Sequence, residues 1–107
     1  MTPRSRLGIQ LTLSDGYETD PELSALLAEV AACGLSELEL NIADPARVDP
    51  ARLQAFLSRF GLSLTRLATG LAARVHGFSL SSEDSGIRRR SIDACGDMIR
   101  YAAAFQR

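Results

Sequence analysis

Apolar and polar positions along the chain repeat with two different periods. Between Leu35 and Ile42, Leu38, Leu40 and Ile42 alternate with Glu37, Glu39 and Asn41, a period of two that predicts a strand. Leu7 to Leu13 alternates in the same way and predicts an earlier strand, and Leu62 to Thr69 predicts a third, interrupted by Arg66. Between them the period changes. Leu23, Leu26, Leu27, Val30 and Ala31 follow the i, i+3, i+4, i+7 rule of a helix buried on one side. Asp20 is placed to cap that helix, Pro21 fills its first turn, and Cys33-Gly34 ends it. Asp49-Pro50 repeats the same start. Leu53, Phe56, Leu57 and Phe60 then form a second apolar stripe that Gly61 closes. Leu71 to Ser82 reads as a long connection. Glu83-Asp84-Ser85 opens a last helix whose expected apolar face is Ile92, Cys95, Met98, Ile99, Ala102 and Ala103.

The predicted order is βαβαβα, an α/β chain. Strand starts at Leu7, Leu38 and Leu62 are 31 and 24 residues apart, near the roughly 30 residues per unit of a (β/α)8 barrel. The middle strand carries polar residues on one face, whereas a parallel strand covered on both sides is apolar on both. Two readings follow. This is an edge strand with one wet face, or Glu39 and Asn41 line a ligand site at the carboxyl end of the sheet, where α/β folds place their ligands.

With 107 residues the chain is one domain or part of one, and 46% hydrophobic content argues against disorder. No apolar run approaches membrane-spanning length, and Met1 to Arg6 does not read as a secretory signal, so a cytoplasmic location is expected. A net charge of −1 gives no electrostatic case for nucleic acid or an anionic membrane as partner. All 12 basic residues are arginine. Arg88, Arg89 and Arg90 oppose the dipole at a helix start, so one of them is expected to have a specific partner. Cys33 and Cys95 have neither Cys-x-x-Cys spacing nor a histidine at metal spacing, and both are expected to be small buried apolar residues in a reducing compartment.

Three segments carry a family resemblance. Gly34-Leu35-Ser36-Glu37-Leu38-Glu39-Leu40 resembles the second-strand segment of the sugar phosphate isomerase/epimerase family, the xylose-isomerase-like TIM barrels that include tagatose and psicose 3-epimerases. Gly61-Leu62-Ser63-Leu64 with Ala68-Thr69-Gly70-Leu71 resembles its third strand and terminal glycine. Phe78 to Asp84 followed by Ile87-Arg88 resembles its entry into the third helix. The resemblance implies that residues 1–107 are the first three βα units of the barrel, a partial barrel with parallel strand order 1-2-3. The chain would stop where the fourth strand should begin. It further implies a divalent metal (Mn, Mg or Co) held in the full-length parent by two Glu, an Asp and a His from later strands, and a sugar or sugar phosphate as substrate. None of those metal and acid/base positions falls in this chain, so no catalytic residue, metal ligand or cofactor is expected within it. What the resemblance leaves is substrate-side wall: Glu39, Asn41, Thr69, Gly70 and, without a family counterpart, His76 in the following loop.

Each of these residues has a plainer reading. Glu39 could pair with Arg66 across neighbouring strands, Thr69-Gly70 could be a strand-to-loop turn, and His76 could be a solvated loop histidine. Proton transfer beside a carbonyl needs an acid and a base, often with a metal, and one Glu plus one His falls short of about four ligands. Two other function classes stand as alternatives: a non-catalytic, self-associating α/β binding module, and a zinc-dependent endonuclease-type barrel fragment. The latter needs strand-end histidines where this chain has Asn41 and Thr69. The fragment is expected to self-associate, since the outer edges of its first and third strands and an inner face including Leu67 and Gln10 would lack their barrel neighbours.

Overall fold

The computed structural model describes residues 8–105, so expectations resting on Leu7 and on Met1 to Arg6 lie outside the described residues. Three strands, β1 (Gly8–Thr12), β2 (Glu37–Asn41) and β3 (Ser63–Ala68), form one parallel sheet in the order β1-β2-β3. Helix α1 (Pro21–Ala32) connects the first pair and α2 (Pro50–Ser58) the second. The short α3 (Gly70–His76) and long α4 (Ser85–Ala103) follow β3. The chain is therefore α/β with helices between parallel strands, in the expected strand order, and β2 is the central strand, paired on both sides, not an edge strand.

Local chemistry accounts for the helix starts. Asp20 Oδ1 accepts the Glu22 and Leu23 N–H groups at 3.0 and 3.3 Å, two donors that the first turn would otherwise leave without partners. Ser14 Oγ donates to Asp20 Oδ2 at 2.7 Å. That hydroxyl is the main cause holding the Asp20 carboxyl below its ordinary range, with the backbone donors adding to it. Asp49 and Asp84 cap α2 and α4 in the same way. Both strand entries are set by glycine. Gly34 and Gly61 have φ of 87° and 72°, left-handed values that a side chain disfavours, and they turn each helix directly into the next strand.

The core lies on one face of the sheet. Leu38, Leu40 and Ile42 of and beside β2 are buried against Leu27 and Val30 of α1 and Leu53, Phe56 and Leu57 of α2. Leu64 and the half-buried Leu67 join from β3, paired in register with Leu38 and Leu40. Leu67 thus lies on the helix side, not on the opposite face as expected, because β3 carries an extra residue opposite the Leu38–Glu39 step and the alternation shifts there. The opposite face carries Gln10, Thr12, Ser63 and Arg66, all exposed.

Three further expectations are corrected. The connection after β3 contains α3, and His76 is that helix's last residue, not a loop residue. Cys33 is exposed, since it sits at the C-cap of α1 after the buried stripe has ended at Val30. In α4 the buried face is Ser91, Met98 and Tyr101, while Ile92 and Ile99 are 55% and 70% exposed. A serine can hold an inward position because its hydrogen bonds are complete: Ser91 Oγ donates to Ile87 O and accepts from Ser79 N, each at 2.7 Å. Of the three consecutive arginines, Arg88 donates to the Ser82 and Glu83 carbonyls at 2.6 and 2.9 Å, and Arg89 makes an exposed ion pair with Asp93 at 3.7 Å. No helix among the described residues is long and apolar enough to cross a membrane.

Tyr101 has a buried hydroxyl with no hydrogen-bond partner among the described residues. Burial is the main cause pushing its phenol above the ordinary range, with Tyr17 and Asp49 adding to it. An unpartnered buried polar group costs about 1–3 kcal/mol, so Tyr101→Phe should leave stability unchanged or raise it by about 1 kcal/mol. Chemical denaturation of the two proteins checks this; a loss above 1 kcal/mol would mean that the hydroxyl has a partner in solution.

Candidate functional site at the carboxyl ends of the strands

Asn41 ends β2, and its side chain reaches across to the third unit. Asn41 Oδ1 accepts the Leu71 N–H at 3.3 Å, in the first turn of α3. At the other end of that helix, His76 Nε2 meets the Ala43 carbonyl at 2.9 Å. A carbonyl can only accept, so Nε2 carries the proton and Nδ1 is left facing away from this bond. The imidazole also packs on Phe78, with ring centroids 5.4 Å apart. Asn41 and His76 therefore fasten the two ends of α3 to the end of β2 and the loop after it.

The remaining expected site residues are placed differently. Thr69 occupies the N-cap position of α3. Its carbonyl accepts the Ala73 N–H at 2.9 Å, but its hydroxyl makes no capping bond. Gly70 opens α3 with an ordinary backbone, and a Cβ there would meet nothing within 4 Å, so no close approach of neighbouring atoms demands a glycine. Glu39 is half-buried on the open face of the sheet, in register between Gln10 and Arg66. It makes no ion pair with Arg66. The ion pairs among the described residues join Arg52 to Glu18, Arg89 to Asp93 and Arg100 to Asp97. The five residues do not share one pocket; four of them meet at α3.

A cavity of about 400 Å³ opens beside this junction, where β1 and β2 end. The loop after β1 contributes Ser14 and Asp15, the loop after β2 contributes Asp44 and Arg47, and His76 closes one side. Leu13, Ile42 and Val48 supply apolar wall. Ser14-Asp15-Gly16 and Ala43-Asp44-Pro45 carry the turn residues of ordinary loops. The available signal was their place directly after two parallel strands, the position from which such sheets present ligand-binding groups.

The resemblance implies a divalent metal in the full-length parent. Among the described residues no three His, Cys, Asp or Glu side chains converge in a way that could hold one. If Asn41→Ala removes the acceptor for Leu71, amide exchange at Leu71 should speed up about fivefold while the amides of α1 and α2 keep their rates, because one local hydrogen bond of about 1 kcal/mol is lost. Unchanged exchange would show that α3 does not depend on Asn41.

No family model matches the chain, and no curated protein matches it.

Proposed function

We propose that the chain is the N-terminal portion, three βα units, of a xylose-isomerase-like barrel of the sugar phosphate isomerase/epimerase family. The parent would move a proton on a ketose or ketose phosphate with a divalent metal. The observation that carries this reading is the one-sided sheet: parallel strands in the order β1-β2-β3, helices packed on the apolar face, and a polar opposite face bearing Gln10, Glu39 and Arg66 in one register row. A closed barrel gives its strands these two environments, helices outside and inward-facing side chains within. The resemblance of residues 34–40, 61–71 and 78–88 supplies the chemistry.

On this reading the chain contributes wall rather than acid/base machinery. The assay is the 107-residue protein, and separately the polypeptide continued through the DNA downstream of Arg107, each with manganese, cobalt or magnesium against ketohexoses and ketose phosphates. Turnover is expected from the continued protein only. Turnover by the 107 residues alone, or a downstream frame without carboxylates and a histidine at strand ends, would overturn the reading.

The second reading, a non-catalytic α/β binding module, is favoured by one observation. Leu38, Leu40, Leu53 and Leu57 are at most 1% exposed among the described residues themselves, without further strands.

A further inference from the structure

We infer that α3 is a hinged strap: residues 70–77 swing off the end of β2 as one unit while the rest of the fold stays intact, and this opening joins the two cavities that meet at the buried side of α3. The inference goes beyond the isomerase reading and does not rest on it.

Little apolar burial holds α3 down. Its one buried side chain is Ala72; Leu71 and Ala73 are half-buried, and Arg74, Val75 and His76 are exposed. Burial stabilises in proportion to the apolar area removed from water, and a methyl group offers little of it. A helix of seven residues does not keep its shape in water without such packing. There is also space beside it. A cavity of about 280 Å³ lies between α3 and α4, and another of about 560 Å³ lies towards the loop after β2. Ala72, Phe78, Ala94 and Met98 line both, so these four side chains form the partition. With Ala72 withdrawn, the two spaces become one groove running from Asp44 to Cys95.

Both ends of α3 are glycine, and element ends are where hinges absorb backbone rotation. Gly77 has a φ of 70°, a left-handed value natural to glycine. A Cβ at Gly70 would have no neighbour within 4 Å, so that end turns in open space. Beyond the hinges the chain is fixed. Ala68 is paired with Asn41 in the ladder, and Ser79 N donates to the buried Ser91 Oγ at 2.7 Å. Between these anchors two bonds latch the strap to β2 and the loop after it. Leu71 N donates to Asn41 Oδ1 at 3.3 Å, and His76 Nε2 donates to the Ala43 carbonyl at 2.9 Å. Sparse burial with a few polar ties is what lets a segment open below the free energy of global unfolding.

Hydrogen exchange of the 107-residue protein in sub-denaturing urea tests this, at low protein concentration. The amides of Ala73, Arg74, Val75 and His76 should exchange together, about tenfold or more faster than those inside α1 and α2. Low urea should barely change their rates, because the opening exposes little surface. His76→Ala undoes one latch and should speed all four, and Leu71, by about fivefold. Gly70→Ala stiffens a hinge and should slow them by about threefold. A thiol reads the partition itself. In a chain carrying Cys33→Ser and Cys95→Ser, the thiol introduced by Ala72→Cys should react with an aromatic disulfide reagent in step with these exchange rates. Three results would each overturn the proposal: α3 amides whose exchange rises with urea as steeply as that of α1 and α2, a His76→Ala effect confined to one amide, or an introduced thiol that reacts only when the whole protein unfolds. None of them bears on turnover by the continued protein, so the isomerase reading is tested separately.

Discussion

Leu53→Ala should destabilise the protein by about 3 kcal/mol, within the roughly 2–5 kcal/mol that a buried leucine truncation costs. Leu53 is fully buried on the inner side of α2, in the same cluster as Leu38 and Leu40 of the central strand. Deleting its branched end removes contact with both layers at once. The strand is held in place by its ladders on either side, so the gap cannot close by a small shift. For a domain of this size such a loss lowers the melting temperature by more than about 10 °C. A matched pair in α4 makes the result more informative. Met98 is 8% exposed and Ile99 is 70% exposed, so Met98→Ala should cost about 2 kcal/mol or more and Ile99→Ala about 0.5 kcal/mol or less. Urea unfolding of the three variants gives the comparison. If Ile99→Ala costs as much as Met98→Ala, α4 presents the face expected from hydrophobic periodicity, and the arrangement around Ser91 is wrong.

That contrast marks where the fold was legible. The strand pattern of Leu38, Leu40 and Ile42, the Asp-Pro starts of α1 and α2, and their glycine ends are signals within a few residues of one another, and each led to an element that formed. Helix α3 was missed because its support is distant in sequence. Its first turn is held by Asn41 and its last by the Ala43 carbonyl, some 30 residues earlier. The face of α4 was misread because periodicity counts apolar residues. It cannot register that Ser91 is admitted to the interior by bonds to Ile87 and Ser79, nor that this turns Ile92 and Ile99 outward. The same limit acts at the site. A polar residue at the end of a strand is equally suited to a ligand and to a neighbouring helix, and Asn41 has the helix. Asp15 and Asp44 went unnoticed because no local pattern distinguishes a loop aspartate that lines a cavity from one in open solvent.

The isolated chain should not behave as a stable monomer. Only β2 is paired along both of its sides; β1 and β3 each end the sheet among the described residues. The two edges differ. Ala102 and Phe105 at the end of α4 lie beside β3, with a cavity of about 300 Å³ between them, whereas β1 ends the other side of the sheet. The open face is polar, with exposed Gln10, Thr12, Ser63 and Arg66, so backbone groups at the edge, rather than an apolar surface, are the expected cause of association. A net charge of −1 offers little repulsion between copies. Sedimentation velocity across a tenfold concentration range should therefore show a rising weight-average sedimentation coefficient. The pairing identifies a substitution that separates edge pairing from other contacts. Leu13 N donates to Asn41 O, and in a parallel ladder alternate residues face the same neighbour, so the Gln10 N–H faces away from β2. Gln10→Pro removes that outward donor, leaves the β1–β2 bonds in place and should reduce association. A concentration-independent monomer with a sharp cooperative melt would instead favour the self-sufficient binding module over the barrel fragment, and association that Gln10→Pro leaves untouched would move the contact from β1 to another surface.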